Sequence, residues 1–408
     1  MKFLKSIYHF LFAWAGSIVY GHPSRKLVVI GITGTKGKSS VIELLHAILS
    51  GAGKKTAMIS TVHIKIGEQE EDKKGGSFRP SAGTMPGRFA LQRFLNQAVQ
   101  AGCQYAIVEV TSQGVAQHRH RFIDFDASAL TNLQPEHIDS HGSFEAYRDA
   151  KVRFFADTAR RSKKGGKLFF LPEGDLSAKY FEAVVGEKGR IIRFSQEGFV
   201  EHELQGNAQV VSPWLRSNFN LANAALAVSI AKAYGATWSS VVKVLAGFAG
   251  VPGRVEWVTP PGKPAVVIDY AHTPDSLDAL YSFLKPQAKK LICVFGSAGG
   301  GRDVWKRPKM GEVASKYCDR IILTSEDPYD ENPAEIAGQI GKGTAGVNVE
   351  IVLDRSEAIA RAIAVAETGD IIALTGMGSQ AKFYGPKGVA TPWNEKEIVE
   401  VLIRKKVS

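Results

Sequence analysis

The stretch GITGTKGKSS, residues 31–40, restricts the fold of this chain more than any other segment. It follows an apolar run, residues 27–30, that predicts a buried strand, and it precedes an apolar-periodic pattern that predicts a helix. Glycines between a strand and a helix let backbone N–H groups turn toward phosphate oxygens, and the helix adds the positive end of its dipole. Lys38 would neutralise the β- and γ-phosphates, and the Ser39 hydroxyl would reach Mg²⁺. We therefore expect a phosphate-binding loop, although Ile32 stands where the common G-x-x-x-x-G-K-S spacing has its first glycine.

The net charge of the chain indicates which kind of partner it binds. The 408 residues carry a formal charge of +11, which favours anionic partners such as nucleotides and phosphorylated substrates. Nucleic acid is not an expected partner, because the basic runs are short and have no interleaved aromatic residues. Cys103, Cys293 and Cys318 lie far apart and have neither metal-ligand spacing nor a disulfide framework. These features predict a protein of the reducing cytoplasm.

The N-terminal segment, residues 1–26, begins with an apolar and aromatic stretch that contains Lys2 and Lys5. It is too short, and too interrupted by His9 and Gly16, to predict a membrane-spanning helix. A signal peptide is disfavoured, because an exported protein would find no ATP for the phosphate loop. We expect a helix that packs on the domain; the alternative is contact with a membrane surface through residues 1–20.

Short apolar runs alternate with helical patterns along the rest of the chain, as in a buried, mostly parallel sheet. The first set of predicted strands is KLVVIGITG, KTAMIST, YAIVEV, ASALTNL and KLFFLP. A break rich in Gly and Pro follows, and then a second set, AVVIDYA, KLICVFG, RIILTSE, VEIVL and IIALTG. We predict an α/β protein with a P-loop central domain, residues 27–249, and a C-terminal Rossmann-like domain, residues 250–408. Helices are expected at 88–101 and 143–159, and a surface loop at 67–77.

The segment 108–155 predicts a metal–nucleotide site. Glu109 ends a predicted strand, His137 follows the end of the next one, and Lys151 lies on a predicted helix. Hard oxygen ligands near a phosphate loop suit Mg²⁺ bound to ATP. A buried lysine that loses its charge can also react with carbon dioxide and become an anionic carbamate ligand. Taken singly, the same residues fit a core or capping histidine and a surface lysine, so both interpretations stay open at this point.

Several motifs in order resemble the Mur ligase superfamily, which also includes folylpolyglutamate synthases. TGTKGKS resembles the T-G-T-N-G-K-T/S loop, with Lys36 in place of Asn. EVTSQGVAQHR, TNLQPEHIDSHG and YRDAK resemble motifs of MurE-type ligases, which add the third amino acid to UDP-N-acetylmuramoyl-L-Ala-D-Glu. The resemblance continues through GTMPGR, NFNLANAALA, PGRVEWV, VVIDYAHTPDSL and GSAGGGRDVWKRPKMG, and so extends over most of the chain.

The resemblance implies a role for each matched residue. The catalytic set is Lys38, Glu109, His137 and Lys151. ATP would be bound by Thr33, Gly34, Thr35, Lys36, Gly37, Lys38, Ser39, Ser40, Asn220, Asn223, Arg254, Asp269 and His272. Two Mg²⁺ ions would be held by Ser39, Glu109, His137 and a carbamylated Lys151. The small-molecule substrates, a muramoyl-peptide precursor and an amino acid, would be held by Thr84, Thr111, Gln117, Arg119, Arg302, Asp327 and Gln380.

Three departures from the family pattern concern the substrate. Residues 1–26 do not correspond to the N-terminal domain that holds the uridine diphosphate in MurE-type ligases, so that end is held loosely or the acceptor is not a UDP-sugar. The D-N-P-R motif of diaminopimelate enzymes reads EDPY here, and Tyr329 cannot make the bidentate ion pair of Arg with the distal carboxylate. Gln380 replaces a Glu and lacks the charge that would hold a distal ammonium. The added amino acid is therefore left open.

The implied activity is ATP-dependent amide ligation through an acyl phosphate, in the synthesis of peptidoglycan precursors. One alternative is a Mur-like ligase that acts on another carboxylate, either a lipid-linked precursor or a folate-like compound. The other is a noncatalytic ATP-binding protein docked at a membrane.

Overall fold

The computed structural model describes residues 2–70, 85–135, 141–204, 212–258, 262–301 and 303–405, with the backbone alone at 2–6, 202, 203 and 405. The chain divides into two compact units, Met1–Ala249 and Gly250–Ser408. Each unit has its own sheet and its own hydrophobic core.

The strands are β1 (Val28–Thr33), β2 (Thr56–Ile59), β3 (Ile64–Ile66), β4 (Gln69–Glu70), β5 (Tyr105–Glu109), β6 (Ala127–Leu130), β7 (Leu168–Pro172), β8 (Arg190–Phe194), β9 (Glu256–Val258), β10 (Ala265–Asp269), β11 (Leu291–Phe295), β12 (Arg320–Leu323), β13 (Asn348–Ile351), β14 (Ile371–Thr375), β15 (Lys382–Tyr384) and β16 (Ala390–Pro392). The helices are α1 (Lys2–Val19), α2 (Lys38–Gly51), α3 (Arg88–Gln100), α4 (Ser112–Ala116), α5 (Phe144–Arg161), α6 (Ala178–Val185), α7 (Asn218–Ala233), α8 (Trp238–Gly247), α9 (Pro274–Leu284), α10 (Lys306–Tyr317), α11 (Pro333–Gly341), α12 (Arg355–Val365) and α13 (Glu395–Lys405). Short helical turns lie at Pro23–Lys26, Gly186–Lys188, Gln196–Gly198, Phe199–Glu203, Pro213–Arg216, Lys285–Gln287 and Pro386–Gly388.

The sheet of the first unit has the order β4-β3-β2-β5-β1-β6-β7-β8. Six neighbouring strands pair in parallel, in the order β2-β5-β1-β6-β7-β8. At one edge of the sheet, β3 and β4 add antiparallel pairs. The central strands β5 and β6 are buried throughout, as expected for apolar runs with helices on both faces. This arrangement confirms the α/β class predicted from the alternation of apolar runs and helical patterns.

A glycine in β1 lets α5 approach the centre of this sheet. A Cβ atom on Gly31 would lie 2.4 Å from Cζ of Phe154 and 2.9 Å from Cε1 of Phe125. Phe154 belongs to α5 and is fully buried, so its ring fills the space above the glycine. The close approach also brings Lys151, one turn earlier on α5, toward the end of β1.

The N-terminal helix α1 packs along the surface of the first unit. Gly16 of α1 lies against Phe89 of α3, and the Ser17 hydroxyl contacts Nδ1 of His22 at 2.6 Å. The expected helix packed on the domain is therefore present. Within the described part of the chain, no helix has the length and apolar character needed to cross a membrane.

The sheet of the second unit has the order β13-β12-β11-β14-β10-β9, in which β9 alone runs antiparallel to its neighbour. Cys293 in β11 and Cys318 just before β12 form a disulfide, with their Cα atoms 6.0 Å apart. The expectation of no disulfide is wrong for this pair, because β11 and β12 are adjacent parallel strands that bring distant sequence positions together. Cys103 is a free, buried thiol.

The predicted surface loop at residues 67–77 is corrected in part. Its residues Gln69 and Glu70 form β4 and pair with β3. Residues 71–77 lie outside the described ranges.

Candidate functional site

The glycine loop connects the end of β1 to the start of α2, as predicted. Gly34 and Gly37 have φ angles of +146° and +81°, and a Cβ atom at either position would meet a neighbouring side chain. The Lys38 ammonium donates to the carbonyl oxygens of Gly34 at 3.0 Å and Thr35 at 2.9 Å. The loop thus curves around its own lysine at the N-terminus of a helix, which is the geometry of a phosphate-binding loop.

The segment after β6 holds the loop in shape. Since β6 lies next to β1 in parallel, the ends of both strands reach the same edge of the sheet. The backbone N–H of Thr35 donates to the carbonyl of Asn132 at 3.0 Å, and that of Lys36 donates to the Asn132 side-chain oxygen at 3.0 Å. The Thr131 hydroxyl donates to the Lys36 carbonyl at 2.6 Å. Lys36, which replaces the family Asn, therefore contributes backbone groups to this contact.

Glu109 lies on the other side of the loop. It ends β5, which pairs directly with β1 on the side opposite β6, and its register partner in β1 is Ile32. The Ser39 hydroxyl donates to Oε2 of Glu109 at 3.1 Å, and the Glu109 side chain is almost fully buried. Thr61, which the sequence analysis missed, donates to the same carboxylate from its backbone N–H at 2.8 Å and from its hydroxyl at 3.1 Å. Two hydroxyl groups and a carboxylate thus meet beside the loop.

Lys151 of α5 reaches the opposite side of the loop. Its side chain is 1% exposed, and its Nζ donates to the carbonyl oxygen of Gly34 at 2.6 Å. The ammonium lies 4.6 Å from the ring centroid of Tyr147, whose hydroxyl donates to Oγ1 of Thr35 at 3.0 Å. The interpretation of Lys151 as a surface lysine is therefore excluded.

The remaining loop residues and the first turn of α7 complete this group. Thr33 ends β1 and Ser40 lies in the first turn of α2, and both are buried. A Cβ atom on Gly37 would lie 2.1 Å from Oδ1 of Asn223. The Asn220 side-chain amide donates to the Trp214 carbonyl at 2.9 Å, so in this structure it links the start of α7 to the preceding helical turn.

The predicted metal ligands are described in part. Ser39, Glu109 and Lys151 lie around the loop, whereas His137 falls outside the described residues. Across the described ranges, no group of three or more His, Cys, Asp and Glu side chains is placed to hold a metal ion. The Ser39 hydroxyl and the Glu109 carboxylate are nevertheless hard oxygen donors of the type that Mg²⁺ takes, and Mg²⁺ needs few protein ligands when it binds a nucleotide.

The predicted acceptor residues follow Glu109 along the chain. The Thr111 hydroxyl caps α4 by accepting from the backbone N–H of Gly114 at 3.0 Å. Arg119 donates to Oε1 of Gln117 at 2.7 Å and also to the carbonyl of Met85, and its burial lowers the pKa of its guanidinium. Thr84 lies outside the described residues. Gln117 and Arg119 thus form a polar pair, and Arg119 also contacts the backbone of the short segment just before α3.

In the second unit, Arg254, Asp269 and His272 surround the end of β10. The Asp269 carboxylate accepts from the backbone N–H groups of Val255 at 2.8 Å and Ala271 at 2.7 Å. The Arg254 guanidinium lies 4.5 Å from the ring centroid of Tyr270, and that ring lies 4.7 Å from the ring of His272. The carboxyl end of a parallel strand is a common place for a ligand in an open α/β sheet.

Two of the residues predicted to contact the amino acid lie in separate loops, Asp327 after β12 and Gln380 after β14. Asp327 has a φ of +39°, rare for a non-glycine residue, and accepts from the backbone N–H of Tyr384 at 2.8 Å. The Gln380 amide lies 3.4 Å from the other Asp327 oxygen. Glu326 is deeply buried, and burial raises the pKa of its carboxyl group to about 7. Arg302 lies outside the described residues.

Fold and site together define a two-unit α/β protein with a phosphate-binding loop at the edge of its first parallel sheet. Two protein-family descriptions match this chain, one in each unit. The Mur ligase middle domain matches residues 32–231, and the Mur ligase glutamate ligase domain matches residues 253–378. The chain is also 37% identical over 385 residues to the UDP-N-acetylmuramoyl-L-alanyl-D-glutamate--2,6-diaminopimelate ligase of Synechococcus elongatus, covering 90% of this chain and 75% of that protein.

Solved structures agree with this match. One of a UDP-N-acetylmuramoyl-L-alanyl-D-glutamate--2,6-diaminopimelate ligase has a TM-score of 0.59 and 25% identity, and it covers 94% of this chain and 79% of that one. A Mycobacterium tuberculosis folylpolyglutamate synthase complexed with ADP has a TM-score of 0.70 and 19% identity, over 90% and 91% of the two chains, and it supports the fold alone. The chain belongs to the Mur ligase family. The predicted family and the predicted enzyme class, a ligase, are thereby confirmed.

Proposed function

We propose that this protein is an ATP-dependent ligase that joins an amino acid to the carboxylate of a muramoyl-dipeptide-type acceptor, in the synthesis of peptidoglycan precursors. The observation that carries the proposal is the convergence of Lys38, Ser39, Glu109 and Lys151 on one glycine loop. A site that only bound a nucleotide would not need a buried carboxylate and a second buried lysine beside the loop. The identity of 37% with a diaminopimelate ligase supports the same reaction class.

The residues at the loop fit ATP and Mg²⁺. Positive φ angles at Gly34 and Gly37 free the backbone N–H groups for phosphate oxygens, and the N-terminus of α2 favours negative charge. Ser39 and Glu109 would hold one Mg²⁺, and His137 and a carbamylated Lys151 would hold a second. Magnesium offsets phosphate charge when it is bound. The carbamate forms when the neutral Lys151 amine adds carbon dioxide and releases a proton, so its burial is a precondition that this side chain meets.

In the proposed reaction, an acceptor carboxylate oxygen attacks the γ-phosphorus of ATP, and the bond to the β-phosphate oxygen breaks to release ADP. The amine of the incoming amino acid then attacks the acyl carbon of the acyl phosphate, and it loses a proton as phosphate leaves. Lys38 would offset negative charge at the phosphates. Its present contacts are carbonyl oxygens within the loop, and it would exchange them for phosphate oxygens on nucleotide binding.

Substrate contacts belong to two groups of residues. Thr84, Thr111, Gln117 and Arg119 are proposed to hold the acceptor peptide, and Arg119 is already oriented by the Gln117 side chain. Arg302, Asp327 and Gln380 are proposed to contact the amino acid. Tyr329 stands in the motif position where diaminopimelate enzymes have Arg, which argues against selection of a distal carboxylate at this point. The proposed location is the cytoplasm, which supplies ATP. Contact of residues 1–20 with a membrane surface stays a prediction.

The deciding experiment measures ADP release and product mass with UDP-N-acetylmuramoyl-L-Ala-D-Glu, ATP and Mg²⁺ across a panel of amino acids that includes diaminopimelate and lysine. A product extended by one amino acid supports the proposal and identifies that amino acid. If no amino acid in the panel gives a product while the protein still binds ATP, the proposed acceptor is wrong.

Lys151→Ala tests the proposed role of the buried lysine. We expect ligation turnover to fall roughly 100-fold and to recover in part with acetate or formate, since a short carboxylate restores anionic oxygens beside the loop. Lys188→Ala removes an exposed lysine and serves as the matched control. A variant with full turnover, or one that short carboxylates never restore while its fold is intact, contradicts the carbamate.

A further inference from the structure

The outward face of α1 is a continuous apolar stripe. Ile7, Leu11, Trp14 and Ile18 follow one another at helical spacing, and their exposed fractions are 42%, 50%, 49% and 47%. Tyr8 borders the stripe and is 53% exposed. Such a spacing places all these side chains on one side of the helix.

The opposite face of α1 is the one that packs on the protein. Ala13, Gly16 and Ser17 are buried there. A helix on a protein surface ordinarily carries charged and polar residues on its outer face. Here the outer face is apolar as well, and among the described residues nothing covers it, so the outer stripe is an exposed patch of the kind that marks an interaction site.

Aromatic contacts fix α1 along the surface. Phe10 meets His118 and Phe122 edge-on, with ring centroids 6.0 Å and 5.1 Å apart, and Phe12 meets Phe89 at 5.8 Å. These contacts hold the helix lengthwise against the first unit. The stripe therefore faces outward along the whole helix, and a helix held in this way could contact a bilayer only along its side.

The cationic border of the stripe consists of two chain segments that carry basic residues and no acidic ones. Residues 2–26 and 85–108, which include α1 and the α3 helix on which it packs, contain no Asp or Glu. Their basic residues are Lys2, Lys5, Arg25, Lys26, Arg88 and Arg93. Arg25 and Lys26 are exposed just after the C-terminal end of α1, although Arg25 also pairs with Asp124 at 3.1 Å. An apolar stripe with a cationic border complements a layer of anionic headgroups above acyl chains.

We propose that α1 docks this protein on the surface of an anionic lipid bilayer, with the stripe in the headgroup region and the helix parallel to the membrane. Trp14 and Tyr8 are residue types that favour this region. A second copy of the chain is the less suitable occupant, because a two-fold contact between stripes would place the same cationic borders against each other. The proposal is independent of the ligase activity.

The test is co-sedimentation of the full chain with vesicles of phosphatidylcholine containing phosphatidylglycerol, and with vesicles of phosphatidylcholine alone. We expect binding to the anionic vesicles, weakened by added salt because the borders act through charge. The triple variant Leu11→Ser, Trp14→Ser, Ile18→Ser is expected to bind more than tenfold more weakly, since three buried apolar side chains are lost from the bilayer contact.

Leu176→Ser is the matched control. Leu176 is 86% exposed in the same unit but belongs to the connection between β7 and α6 and not to α1, so its substitution is expected to leave vesicle binding unchanged. Thermal unfolding and far-ultraviolet circular dichroism establish that each variant is folded. Absence of binding by the natural chain, or equal binding by the triple variant, overturns the proposal. A lipid-free dimer that the triple variant dissociates would assign the stripe to a second copy instead.

Discussion

At the scale of single residues, Gly37 offers the most direct test of the phosphate-binding loop. In Gly37→Ala the new Cβ would lie 2.1 Å from Oδ1 of Asn223, and the residue would keep a φ of +81° that alanine adopts at a cost. We expect ATP affinity to fall by about tenfold or more, because the loop must move from the shape that holds phosphate. Isothermal titration with ATP and Mg²⁺ measures the change.

The control for Gly37 separates strain from loop geometry. Gly53 has a nearly equal φ of +75°, and nothing lies within 4 Å of its Cβ position. Gly53→Ala should therefore lower the melting temperature while leaving ATP affinity unchanged. If both variants lose ATP affinity equally, general destabilisation accounts for the loss and the loop has no special part in it.

The buried carboxyl group of Glu326 is expected to make the free energy of unfolding depend on pH. Burial raises the pKa of its carboxyl group from 4.5 to about 7, despite the nearby Arg355 and Lys306. The folded protein therefore binds this proton more tightly than the unfolded chain, so the stabilisation is complete below pH 4.5 and is lost as pH rises through 7. Glu326→Gln cannot ionise, and we expect it to lose less free energy of unfolding between pH 5 and 8, by up to roughly 3 kcal/mol. Urea titrations at the two pH values measure the difference.

Glu331→Gln is the companion variant, because its environment acts in the opposite direction. A hydrogen bond from Arg307, at 2.8 Å, lowers the pKa of the Glu331 carboxyl group. Its contribution is present above pH 4.5 and is lost on acidification. Its removal should therefore leave the slope between pH 5 and 8 unchanged. A wild-type slope no steeper than that of Glu326→Gln would mean that Glu326 is ionised throughout this range.

Much of the candidate site could be predicted from the sequence at this scale. Lys38, Ser39, Glu109 and Lys151 are chemically distinctive, and the structure brings them together around the loop, although their roles stay predictions. Thr61 was missed, because a lone threonine after a short strand gives no signal. Its contact with Glu109 depends on β2 lying beside β5, and that neighbourhood follows from strand order in the sheet and not from distance along the chain.

At the scale of elements, buried strands were easier to predict than edge strands. Every predicted apolar run corresponds to a strand, and all of these strands except the edge strand β13 are largely buried, which demands continuous apolar residues. No strand was predicted for β3, β4, β9, β15 and β16, which have two or three residues each, or for β8, in which Arg190 and Arg193 are exposed. Short or half-exposed strands gain their stability from a neighbouring strand, which no local pattern reveals.

At the scale of the whole molecule, the two compact units predict that each can fold alone. As far as the structure describes them, residues 1–249 contain an eight-stranded sheet and its core, and residues 250–408 contain a six-stranded sheet, the β15–β16 pair and a core. Since the described strands of each sheet all come from one unit, neither fragment loses a partner of these strands when the chain is cut between 249 and 250. We expect each fragment to unfold cooperatively in urea, measured by circular dichroism, with native secondary structure at the start.

A displaced cut supplies the control for this prediction. Division between residues 268 and 269 separates all but the last residue of β10 from the second unit, and β10 lies between β14 and β9 in that sheet. The fragment 269–408 then exposes the apolar edge of β14, so we expect it to aggregate or to unfold without a cooperative transition. The fragment 1–249 should still bind ATP weakly, because Lys38 and the loop are inside it. Two fragments from the cut at 249 that behave no better than those from the cut at 268 would show that the units fold only as one chain.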